Sequence, residues 1–218
     1  MAAQQRLGAD TVGTRKLYVL VVLRVFFAGL VVAAITAQAR SLQRGGQLNP
    51  YNFFSFFTIQ SNIIAAGVLL LGAAMGRHRH PWLDVARGAA TLYMVVTGVV
   101  YALLLSNIEV QTTVPWVNQV LHRVFPVAMV LDWLWDRPAH ISFRTALWWV
   151  VYPLTYAAYT LVRGPIVLWY PYPFLDPAQH GYGQVALTCV GIGLAVTGVA
   201  WLLARATPAV TRRHKTAA

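Results

Sequence analysis

The sequence predicts an all-α, polytopic membrane protein, a bundle of six transmembrane helices with both termini in the cytoplasm. Composition is the first reason. Of 218 residues, 58% are hydrophobic and only 11% charged, whereas soluble domains carry about a quarter charged residues. So few charges cannot clothe a water-facing surface. Patterning is the second: the apolar residues fall into separate blocks of about 18 to 24, the length that spans a roughly 30 Å hydrocarbon core as helix. Only helices or closed barrels satisfy every backbone group in lipid, and the blocks lack the period-2 alternation of barrel strands. Third, the cations sit in short clusters between the blocks.

The blocks place helices at 17–39, 52–75, 88–105, 119–135, 145–162 and 183–204. Arg15 and Lys16 precede the first, and Ala37-Gln38-Ala39 resembles a signal-peptide cleavage site. That block is longer than a signal core and carries Arg24, so it reads as an uncleaved helix. The sixth contains Cys189, the single cysteine, which rules out an internal disulfide. The organisation is then a cytoplasmic tail at 1–16, a six-helix domain at 17–204 and a basic cytoplasmic tail at 205–218.

Orientation follows from the cations. Arg6, Arg15 and Lys16 lie in the first tail, Arg77, Arg79 and Arg87 in the second loop, and Arg137 and Arg144 in the fourth. Arg205, Arg212, Arg213 and Lys215 lie in the last tail. Only Arg40, Arg44 and Arg163 lie on the opposite side. Twelve cations against three put both tails on the cytoplasmic side of the cell membrane. The formal charge of +11 is spread over these clusters and forms no basic domain, so it points to the membrane surface and not to nucleic acid.

Ionisable groups at membrane depth cost a few kcal/mol at least and raise the question of a partner or a role. They are Arg24 on the first helix and His122, Arg123 and Asp132 on the fourth. Arg24 and Asp132 both fall in the cytoplasmic half, where a structural ion pair or a proton or ion relay would use them. On the second helix Asn52, Ser55, Thr58, Ser61 and Asn62 recur at spacings of three and four, which aligns them on one face. At about 1.5 Å per residue, Thr58 and His122 reach similar depths below the outer interface. Further polar stripes point into the bundle: Tyr93, Thr97 and Tyr101, then Trp148, Tyr152, Thr155, Tyr156 and Tyr159. Close helix packing through small hydroxyl residues is the plainer explanation of Ser55, Ser61 and Asn62, and a bond to a neighbouring carbonyl is the plain alternative for the histidine. The fifth loop, 163–182, is long and carries Trp169-Tyr-Pro-Tyr-Pro-Phe-Leu-Asp176, an aromatic segment suited to an interfacial belt or a lid.

Three stretches stand together: Phe56-Phe57-Thr58-Ile59-Gln60-Ser61-Asn62, His122-Arg123-x-x-Pro126 continuing to Asp132-Trp133, and the fifth-loop segment. In this order the chain resembles six-helix bacterial integral membrane proteins of unassigned activity. More distantly, it is similar to the androgen-induced and androgen-dependent transmembrane threonine hydrolases, which cleave esters between fatty acids and hydroxy fatty acids. That resemblance implies Thr58 as nucleophile and His122 as its base. An oxyanion donor would come from Asn62 or Asn52, and Asp176 would orient His122 if the loop folds over it. The implied substrate is a lipid ester near the outer leaflet. A non-enzymatic bundle that binds or moves a lipid or ion, and a structural subunit of a membrane complex, fit the same residues. No cofactor or metal is expected. His78-Arg79-His80 reads as a positive-inside loop, His122 has no second intramembrane histidine to share a haem with, and no nucleotide fingerprint occurs. Membrane lipid is the expected partner, and the oligomeric state is left open.

Overall fold

The computed structural model describes residues 2–76, 78, 80–106, 114–138 and 140–208, with side chains from residue 14 onward. Arg77, Arg79, Arg212, Arg213, Lys215 and the side chain of Arg6, counted above, lie outside the described residues. Among those residues the structure is all-helical, without a strand.

Helix α1 runs Ala2–Arg44 and ends before Gly46, whose φ of +66° turns the chain. The short α2, Pro50–Phe53, is set by Pro50 in its first turn and by Asn49, whose side chain accepts from the Asn52 N–H. Helix α3, Phe57–Met75, begins only after Phe56 has adopted an extended conformation (ψ 129°). The single helix expected at 52–75 is therefore broken. Here side chains take over the backbone bonds: Ser55 Oγ donates to the Tyr51 carbonyl at 2.6 Å, and Tyr156 Oη donates to the Ser55 carbonyl at 2.9 Å.

Helix α4, Pro81–Val100, starts well before residue 88, because Pro81 suits the first turn, and it takes Arg87 out of the loop. It runs on into a π turn, Tyr101–Leu105. Helix α5, Pro115–Gln119, a second π turn at Val120–Val124 and α6, Phe125–Trp135, form one continuous run. Pro126 has no N–H to offer the His122 carbonyl, and the Phe125 N–H reaches back five residues to Val120. Helix α7, Phe143–Val167, is capped by Ser142 Oγ, which accepts from the Thr145 N–H. A strap follows, in which Pro173–Leu175 form one 3₁₀ turn, and then α8, Pro177–Arg205.

Central α4 packs against α3, α6, α7 and α8; α1 lies along α3 and the α5–α6 run, and α8 lies on α7. Two glycines permit the tight crossings. A Cβ on Gly88 would enter the Trp149 ring of α7, and one on Gly98 would stand 3.2 Å from Pro126. Among the described residues four helices are long and apolar enough to cross a membrane: Thr14–Arg44, Phe57–Met75, Pro81–Leu105 and Pro177–Arg205. Polar side chains such as Ser61, Asn62 and Arg87 are buried, while Leu103, Trp148, Ile166 and Leu194 face outward.

Candidate active site

The break before α3 makes Thr58 the second residue of a 19-residue helix. Its hydroxyl therefore stands at the positive end of a helix dipole, beside N–H groups that have no acceptor within the helix. Two tyrosines take up two of them. Phe57 N–H donates to Tyr156 Oη and Thr58 N–H to Tyr172 Oη, both at 3.2 Å.

From the opposite side the π turn at Val120–Val124 carries His122 inward until Nε2 lies 3.1 Å from Thr58 Oγ1. Both residues are buried. His122 Nδ1 is 3.2 Å from the Asn118 carbonyl. A carbonyl oxygen only accepts, so in the neutral imidazole Nδ1 carries the hydrogen and Nε2 offers its lone pair to the Thr58 hydroxyl. Tyr101, on the other π turn, stacks on the imidazole with ring centroids 4.3 Å apart, and its Oη accepts from Asn118 Nδ2 at 2.6 Å. The ring is thus held by one face and one nitrogen.

Tyr172 completes the centre. Its Oη lies 3.2 Å from Thr58 Oγ1 and accepts from the Thr58 N–H, which leaves the phenol hydrogen to point at Oγ1. Burial pushes this phenol above its ordinary pKa, so it keeps its proton. The strap is anchored around it: Phe174 stacks on Tyr172 at 5.3 Å, and Phe56 meets Tyr172 and Trp169 edge-on.

No protein-family model, curated protein or solved structure matches this chain. The site is therefore read from its geometry.

Thr58 and His122 come together as their depths suggest, and the histidine keeps its neighbouring carbonyl as well. Asn62 lies beneath them, but its Nδ2 donates to the carbonyls of Thr58 (2.8 Å) and Leu121 (3.2 Å), a bridge between α3 and the second π turn. Asn52 accepts from Arg163 at 2.7 Å at the rim. Neither amide is aimed at the Thr58 hydroxyl as an oxyanion donor. Asp176, expected to orient His122, instead caps α8, accepting from the Ala178 N–H and Gln179 Nε2. The backbone of Asn118 does that orienting.

Arg24 and Asp132 meet at the other end of the bundle. Arg24 Nε lies 2.6 Å from Asp132 Oδ1, and Nη2 lies 2.8 Å from Asp136 Oδ2. Arg87 joins them, with Nη2 2.8 Å from Asp132 Oδ2 and Nη1 3.3 Å from Asp84 Oδ1. Hydropathy alone places Arg87 in a loop, whereas the structure buries its side chain to 2% exposure.

Proposed function

We propose that this protein is an intramembrane hydrolase that uses Thr58 and His122 to cleave a lipid ester. The observation that carries the reading is the 3.1 Å approach of His122 Nε2 to Thr58 Oγ1, with Nδ1 already committed to a carbonyl. A threonine hydroxyl is a weak nucleophile until a base removes its proton, and a neutral imidazole in this tautomer is such a base.

In the proposed reaction the Thr58 proton moves to His122 Nε2 as Oγ1 bonds to the ester carbonyl carbon. The carbonyl electron pair moves onto oxygen, where the Tyr172 O–H and the positive end of α3 stabilise it. Collapse breaks the ester C–O bond, and His122 gives its proton to the departing alkoxide. Water, deprotonated by His122, then attacks acyl-Thr58 and releases a carboxylic acid. His122 returns the proton to Thr58 Oγ1.

The membrane setting supports a lipid substrate. We infer six crossings, the four long apolar helices together with the Pro115–Trp135 run and α7, both termini cytoplasmic and the cell membrane as the site of action. Thr58 and Gly72, which touches Arg24 at 3.5 Å, are 14 residues apart on α3. That puts the two clusters about 20 Å apart along the bundle. The positive-inside count assigns the ion cluster to the cytoplasmic half, and hence Thr58 to the outer leaflet.

A fluorophosphonate activity probe tests the reading on the purified protein in lipid nanodiscs. Labelling of the wild type at Thr58, lost in Thr58→Ala and in His122→Ala, is expected. Labelling that neither substitution changes would sink the assignment.

A further inference from the structure

An apolar cavity of about 80 Å³ opens beside Thr58, bounded by α4, α7, α8 and the strap. Its lining is uneven. Its polar lining residues Thr58, Thr97, Tyr156 and Tyr172 are joined by hydrogen bonds around the first turn of α3, Thr97 through Ser61, and the remaining walls are almost wholly apolar. A second hollow of about 200 Å³ adjoins it at Val96, Val100, Ile192 and Val196 and lies between α4 and α8 as far as Val199. From Cys189 to Val199 the two follow ten residues of α8. That is about 15 Å, half the thickness of a roughly 30 Å hydrocarbon core. Val99, Leu103 and Leu104 on its open side are exposed, so the crevice faces the surrounding lipid.

Resting on the Thr58–His122 reading, we propose that this crevice is an acyl-chain subsite, which admits the acyl tail of a long-chain ester sideways from the bilayer. The occupant follows from the shape and its surroundings. An amphiphile with a carbonyl at one end and hydrocarbon along the rest matches a slot whose polar groups gather at Thr58, and acyl chains are the medium in which the slot opens. After attack the tail stays in the crevice as acyl-Thr58, while the alcohol leaves. Lipid tails are as apolar as the walls, so the crevice gains little from the hydrophobic effect. It acts by holding the carbonyl in reach of Oγ1, a positioning effect.

Gly193 offers the test. A Cβ there would meet nothing closer than Leu154 Cδ2 at 3.9 Å, so the backbone accepts a side chain that would fill the crevice. Two fluorophosphonates, one with a short and one with a long alkyl chain, are compared on wild type, on Gly193→Phe and on Val100→Trp from the facing wall. Thermal melting in nanodiscs identifies any variant that fails to fold, and the other wall then carries the comparison. Should both misfold, Gly193→Leu, a smaller filling, replaces them. The expected result is that each filled variant lowers the long-to-short labelling ratio roughly tenfold, the discrimination typical of a filled hydrophobic pocket, with the short probe as the internal reference. A ratio unchanged by filling overturns the subsite and leaves the catalytic reading standing. No labelling of wild-type Thr58 by either probe overturns both.

Discussion

At the scale of single residues, the chemistry proposed for Thr58 rests on who donates to whom. The Asn118 carbonyl fixes the His122 tautomer, the tautomer fixes the direction of the Thr58 O–H, and the free lone pair of Oγ1 then receives Tyr172. Removing the phenol hydrogen by Tyr172→Phe leaves the ring stacked on Phe174 and takes away a donor at the developing oxyanion. Acylation should slow by about 10²-fold, the loss seen on deleting one oxyanion donor. Time courses of probe labelling measure it, and a slowing of less than twofold would remove Tyr172 from the chemistry. The pair Thr58 and His122 was legible in the sequence because both sit on apolar runs whose residue count sets depth. Tyr172 was not, since no helical period fixes how far a loop residue reaches inward. Asn118 stood one position before the predicted helix, and its role is carried by the backbone, to which side-chain identity gives no clue.

At the scale of elements, the site depends on two interruptions in otherwise regular helix. The π turn at Val120–Val124 rotates His122 toward α3 and follows from Pro126, a signal present in the sequence. The break before α3 had no such signal, because Phe53-Phe54-Ser55-Phe56-Phe57 contains neither proline nor glycine. It is imposed by tyrosines of α7: Tyr156 Oη holds the Ser55 carbonyl and Tyr159 Oη lies 3.0 Å from Ser55 Oγ. The strap is held by another close approach. Gly164 lies against the Tyr170 ring, and a Cβ there would overlap it. Gly164→Ala should therefore push the strap outward and draw Tyr172, two residues on, away from Thr58. Overpacking of this kind costs about 1–3 kcal/mol, read as a lower melting temperature in nanodiscs. Labelling of Thr58 should fall with it. If the melting temperature drops while labelling stays at the wild-type rate, the strap covers the site without shaping it.

At the scale of the whole molecule, the ion cluster ties the bundle together at the end opposite Thr58 and His122. Arg24 brings α1, Arg87 and Asp84 bring α4, Asp132 brings α6, and Asp136 follows immediately after it. Arg24 Nη1 also reaches the Gly72 carbonyl of α3. The Arg24–Asp132 pair was readable because opposite helix directions put both residues in one half of the bilayer. Asp84 and Arg87 were not, since a charged first turn lowers hydropathy in the same way that a loop does. Among the described residues Arg24 and Arg87 both grip Asp132, so removing either cation takes a partner away from a buried carboxylate. Arg24→Ala should cost about 3–5 kcal/mol, the penalty for breaking a buried pair from one side. Arg24→Lys should cost less, because it keeps the charge while losing the guanidinium's several-pronged grip on Asp132, Asp136 and the Gly72 carbonyl. Melting in nanodiscs gives both values. A structural pin predicts that proton flux into liposomes is the same for wild type and for Asp132→Asn. A relay predicts that flux is lost in Asp132→Asn while the melting temperature hardly moves, so the two measurements together decide between them.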